Sequence, residues 1–305
     1  MTTVKAHPVL HPEEAVGSDL PDAASSTERL RSSVLEYRHE NGRTYHRYKD
    51  GKYNLPNDGE ENERLDFQHN LCLLTFENEL GLSPPNHYNS NVKRVLDLGT
   101  GTGIWAIDFG DEHPDATIDD IDDDWTYSQP FDYIHSRFMN FSVQNWHSYL
   151  EKIFWNLTPG GYVELQDVDV IMDSDDGTLT PDTTLYQWCR LLEEAAVRFD
   201  RTFENTANFK YIMSEIGFVD IVETRFKWPT NRWPKDQKYK ELGAWNNENA
   251  SSAVEALTMA PFTRGLGWTR EEVEIFLMDL RKDWNNPKIH AYWPICSVYA
   301  RRPEI

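Results

Sequence analysis

From Val95 to Trp105 the chain reads Val-Leu-Asp-Leu-Gly-Thr-Gly-Thr-Gly-Ile-Trp: an apolar run, alternate glycines, then the start of a helical pattern. Glycines at that spacing let the backbone take positive φ and come close to a ligand, and the helix behind them offers free N–H groups. Two cofactor chemistries fit. Gly101-Thr-Gly-Ile-Trp-Ala106 matches the dinucleotide form G-x-G-x-x-G/A. Asp97, two residues before Gly99, suits instead a cofactor with a positive amino-acid end. A carboxylate repels a pyrophosphate and attracts an ammonium, more strongly in a cleft than in water. The hydride-transfer reading also lacks its partners, because the Tyr48-x-x-x-Lys52 pair lies upstream of the loop. Asp97 therefore favours the second chemistry.

The elements around the loop alternate. Val92–Leu98 reads as a strand and Ile104–His113 as a helix stopped by Pro114. Phe131–His135 and Tyr162–Val170 read as buried strands on either side of an amphipathic helix, Trp146–Leu157. Helices are expected at 181–200, 205–216 and 270–283, with strands at 218–227 and 290–300. This alternation predicts a doubly wound, mostly parallel α/β sheet. Upstream, helices are expected from Ser26 to near Asn41-Gly42 and from Glu63 to Leu80, forming a helical lid over residues 27–90. Residues 91–305 form the α/β domain with helical additions at its C-terminal side, and residues 1–26 read as disordered.

The 305 residues, 39% hydrophobic and 13% aromatic, are enough for a sizeable core. A net charge of −21 argues against direct binding to a phosphate backbone. No apolar run reaches the length of a membrane span, and the N-terminus lacks a signal-peptide core. Cys72, Cys189 and Cys296 are isolated, which points to a reducing compartment, cytosol or nucleus. No metal site is expected: counting back from Gly177 puts Met172 at the first position of the calcium-loop template, where an aspartate is required.

Arg94-Val-Leu-Asp-Leu-Gly-Thr-Gly-Thr-Gly-Ile-Trp-Ala-Ile-Asp108 resembles the fungal methyltransferase family of the LaeA type, which is associated with secondary metabolism. Asn41–His46, Asp123–Tyr127, Phe131–His135 and Leu157–Gln166 match the same family, so the resemblance runs from about Leu35 to Arg302. It implies a class I, Rossmann-like methyltransferase using S-adenosyl-L-methionine, with a small metabolite or a protein as methyl acceptor. By the same resemblance Asp97, Gly99, Thr100, Gly101 and Gly103 line the methionine and ribose. His135 to Arg137, just past a strand end, face the transfer site, with His135 the candidate base, and Tyr45 and His46 close over the cofactor.

Residues 104–130 are too few for the helix, two strands and crossover of the family pattern; a β-α-β unit alone takes about 30 residues. One short strand, Ala116–Asp119, fits. Of the acids in this stretch, Asp119 and Asp120 match the family's pair near adenine, whereas Asp122 stands about 20 residues past the last glycine, where a ribose acid is expected. Both assignments remain open. The shortening also admits a methyltransferase-like regulator with impaired cofactor binding that works through protein partners.

Overall fold

A computed structural model describes residues 37–46, 56–120, 125 and 127–304. Asp122 and most of the expected helix from Ser26 lie outside these residues. The described end of that helix is instead a hairpin, β1 (Tyr37–Glu40) paired antiparallel with β2 (Arg43–His46). Asn41 and Gly42 both take positive φ, 51° and 85°, the pattern of the primed turn that joins two strands tightly. Asn-Gly here turns a hairpin where a helix stop was expected. Helix α1 (Gly59–Thr75) follows, its first turn capped by the Asp58 carboxylate, which accepts from the Glu61 amide.

The central sheet has β4 (Thr117–Asp120), β3 (Arg94–Leu98), β5 (Phe131–Arg137), β6 (Leu157–Val168), β8 (Tyr292–Arg301) and β7 (Val219–Pro229) side by side in that order. Strands β4, β3, β5 and β6 are mutually parallel, and β8 runs antiparallel to both of its neighbours. The expected mostly parallel sheet is present. The chain leaves β3 for β4 on one side through α2 (Ile104–Glu112), then returns past β3 to β5 on the other. The strand order thus reverses at β3, and open α/β sheets bind ligands beyond the carboxyl ends of strands at such a point. The glycine loop lies there.

Period-2 alternation gives each strand two faces. Leu96, Leu98, Ile134, Val163 and Val298 meet α3 (Trp146–Asn156) and α5 (Phe209–Ile216) on one side. Val95 and Tyr133 meet Trp105 and Phe109 of α2 on the other. A third apolar cluster joins α1 to α4 (Thr184–Arg198), α6 (Gln237–Ala260) and α7 (Arg270–Trp284) around Trp188, Trp228, Trp284 and Trp293. Sequence periodicity gave no sign of α6. Two of its asparagines, Asn246 and Asn249, are buried, so polar residues stand where an apolar stripe would have announced the helix. Asn246 donates to the carbonyls of Trp228 and Pro229, satisfying the end of β7.

Candidate cofactor site

Strand register fixes what lies under the glycine loop. Asp97 on β3 pairs with His135 on β5, and side chains directly opposite on neighbouring strands share a face within contact distance. The His135 Nδ1–H donates to Asp97 Oδ1 at 2.8 Å, with both residues almost fully buried. Trp105 lies flat on the imidazole, ring centroids 3.7 Å apart and planes within 6°, and its indole N–H is held by the Leu80 carbonyl. Neither Asp97 nor His135 lines the cavity above. The Asp97 carboxylate, expected to meet the cofactor's ammonium, lies on the α2 face of the sheet, bound to the imidazole that Trp105 covers. His135, expected at the transfer site, is its partner. Glu164, next along the same row, is also buried and accepts from the Leu82 and Ser83 amides, Asn86 and Ser297.

Above this floor a cavity of about 420 Å³ lies between the glycine loop and α1. Gly99, Thr100, Gly101 and Thr102 form one wall, and Leu65, Gln68 and His69 of α1 form another. Gly99 has φ +84°, and a Cβ there would stand 2.6 Å from Met139 Sδ. The nearest atom to a Cβ on Gly101 would be Leu65 Cδ1, at 3.7 Å. The lid is latched to the loop: the Thr102 hydroxyl donates to Asp66 Oδ1 at 2.5 Å. Gly103 sits within the loop, 2.9 Å by its amide from the Thr100 carbonyl, and does not line the cavity.

A second latch carries charge. Arg137 at the end of β5 can only donate, so His69 Nδ1 accepts from its guanidinium at 3.1 Å. The His69 Nε2–H is then left to donate to Asp108 on α2, 2.9 Å away. Burial, followed by the Arg137 charge, holds the His69 pKa below its ordinary value against the opposing pull of Asp108. The imidazole is therefore neutral at pH 7, with both nitrogens engaged. Arg137 itself faces the cavity and has no carboxylate partner among the described residues. Arg137, expected with His135 at the transfer site, lines the cavity; Gln68 and His69, which also line it, and Asp66, which latches α1 to the loop, had no signal in the sequence.

The acidic run divides. Asp119 pairs with Arg94 at 2.9 Å, a contact within the sheet. The β4 strand lies directly beside β3, with Asp120 opposite Asp97 at its carboxyl end. This is the place of a second strand, not of the third to which the family match assigned Asp119-Asp120. Tyr45 is buried under the Arg264 guanidinium, 4.8 Å from its ring centre, and does not line the cavity.

A profile of the methyltransferase domain matches residues 69–223. The methyltransferase pytC of Aspergillus terreus is 36% identical over 312 residues, spanning 94% of this chain and 95% of its own. The secondary metabolism regulator LAE1 of Cochliobolus heterostrophus is 33% identical, spanning 87% and 94%. The protein-methionine methyltransferase laeA of Emericella nidulans is 30% identical, spanning 88% and 77%. The chain belongs to the methyltransferase family. Its resemblance to the LaeA-like fungal members holds over most of its length, and S-adenosylmethionine is the cofactor of this class. The methyltransferase loop carries positive φ at Gly99, Gly101 and Gly103, a backbone that fits close approach of the methionine half. Among the described residues no helix is long and apolar enough to cross a membrane.

Proposed function

We propose that this methyltransferase holds the methionine end of S-adenosylmethionine in the 420 Å³ cavity between the glycine loop and α1, with Arg137 as the counter-charge to its carboxylate. The observation that carries this reading is the Arg137 guanidinium, oriented by His69 and facing a glycine-walled cavity with no acidic partner among the described residues. Asp97 and His135 support the loop from beneath as positioning residues, in place of the ligand and base roles expected of them. Asp119, tied to Arg94, is read as a contact within the sheet and not as a cofactor ligand.

The bound cofactor supplies an already activated methyl group, so the protein contributes proximity, orientation and exclusion of water. The acceptor is a small metabolite. A protein methionine, the acceptor named for one relative, is the alternative, supported by the Met139 thioether beside Gly99. A gain of one methyl mass on the chain after incubation with cofactor would decide for it. The buried, unpaired Cys72, Cys189 and Cys296 fit a reducing compartment, cytosol or nucleus.

The test is calorimetric titration of S-adenosylhomocysteine into wild type and Arg137→Gln. Loss of a charge-assisted hydrogen bond is worth about 1.5–3 kcal/mol, so affinity should fall by roughly 10- to 100-fold. Equal affinities would remove Arg137 from the site. A second reading, a regulator acting through protein partners, draws on the short edge strand β4 and on the diversion of Asp119. It gains if wild type gives no heat at roughly millimolar cofactor.

A further inference from the structure

A second, smaller chamber of about 90 Å³ adjoins the cofactor cavity, and Leu65, Gln68 and Phe138 form walls of both. Its inner wall is aromatic: Trp188, Trp228 and Phe141 line it, with Leu257 and Ala253 of α6 opposite. The indole N–H groups of Trp188 and Trp228 are spent on the Thr258 and Thr75 hydroxyls, both at 2.8 Å, so these rings offer the chamber only carbon.

Its polar edge is neutral. Arg64 lines the chamber, but two of its nitrogens are held by Glu61 at 2.7 and 3.0 Å and a third by Asn249 Oδ1 at 3.0 Å. That ion pair cancels its charge on the spot. The Gln68 carboxamide stands where the two cavities meet, and it has no partner among the described residues.

Among the described residues the titratable groups lining either cavity are Arg64, His69 and Arg137. Neither arginine can take up a proton, and both His69 nitrogens are engaged. The junction therefore holds no base for an acceptor that must first be deprotonated.

We infer that this chamber is the acceptor site and that its ligand is an uncharged molecule with one aromatic ring. Gln68 hydrogen-bonds the ring's polar substituent, and the nucleophile is a ring nitrogen or electron-rich ring carbon. This rests on the cofactor placement proposed above. The acceptor's lone pair or π pair forms the new bond to the methyl carbon, and the cofactor sulfur keeps the pair of the bond that breaks. The positive charge passes to the acceptor, and any proton it must lose goes to water. A cavity of about 150 Å³ takes a whole benzene; 90 Å³ takes one edge of a ring, leaving the reacting edge at the junction. The net charge of −21 further disfavours an anionic acceptor.

Benzamide, benzoate and benzamidine share one shape with charges of zero, minus one and plus one. Their binding to the full chain saturated with S-adenosylhomocysteine, read by ligand-observed NMR, tests the inference. Benzamide should bind at least tenfold more tightly than either ion. Gln68→Glu should reverse the order, benzamidine gaining at least tenfold over benzamide. Equal or tighter binding of an ion by wild type, or no binding of benzamide while S-adenosylhomocysteine still binds, overturns the chamber assignment alone. Failure of wild type to bind S-adenosylhomocysteine overturns the cofactor placement beneath it.

Discussion

Replacing Gly99 with alanine tests whether the glycine loop is held by backbone conformation and by its contact with Met139 together. At φ +84° an L-residue costs about 1–2 kcal/mol. The new Cβ would meet Met139 Sδ at 2.6 Å, so the methionine must leave its rotamer at about 0.5–1.5 kcal/mol. Loss of glycine's freedom in the unfolded chain returns about 0.5 kcal/mol. The net destabilisation should be about 2 kcal/mol by urea unfolding. Truncating the obstacle separates the two contributions: in Gly99→Ala/Met139→Ala the clash is gone and only the backbone cost remains. The double mutant should therefore be about 1 kcal/mol more stable than the sum of the single changes implies. Additivity to within about 0.4 kcal/mol would refute the claim that the sulfur restrains Gly99.

Asp167, on β6, is fully buried and accepts from the Met139, Asn140 and Val168 amides. Burial pushes its pKa up from 3.8 to about 7. Between those values the folded chain keeps a proton that the unfolded chain has released, so this group's contribution to stability falls as pH rises from about 4 to about 7 and is level above that. Asp167→Asn should remove that slope, at most about 4 kcal/mol across the window; urea midpoints at several pH values that run parallel in the two proteins would contradict it. Asp66→Ala breaks the latch between α1 and Thr102. S-adenosylhomocysteine affinity should drop about fivefold, equivalent to about 1 kcal/mol, with faster amide exchange at 99–103, and unchanged exchange would count against a latch.

The loop was legible because its chemistry is local: three glycines, a preceding strand and a following helix occupy consecutive positions. What the loop's acid does was not, because the Asp97 partner is set by its register with His135 on another strand. The lid residues were hidden differently. Asp66, Gln68 and His69 look like the solvated face of a helix until that helix lies on the loop. Helix α6 escaped notice because buried Asn246 and Asn249 interrupt its apolar face, and the hairpin at 37–46 because Asn-Gly was read as a helix end. Residues 104–130 leave room for one strand beyond the helix, and only strand pairing shows that this strand adjoins β3.

The cavity's walls come from segments far apart in the chain. Arg64 reaches Asn249 across 185 positions, His69 reaches Arg137 across 68, and Thr102 reaches Asp66 across 36. Contacts of such separation carry the loop-closure cost that slows folding. The β3-loop-α2 unit can form from neighbouring residues, but the pocket exists only after α1 has docked back onto it and onto α6. Cofactor binding at the proposed site would therefore report completion of the fold, since a ligand that binds only the finished chain draws the folding equilibrium towards it.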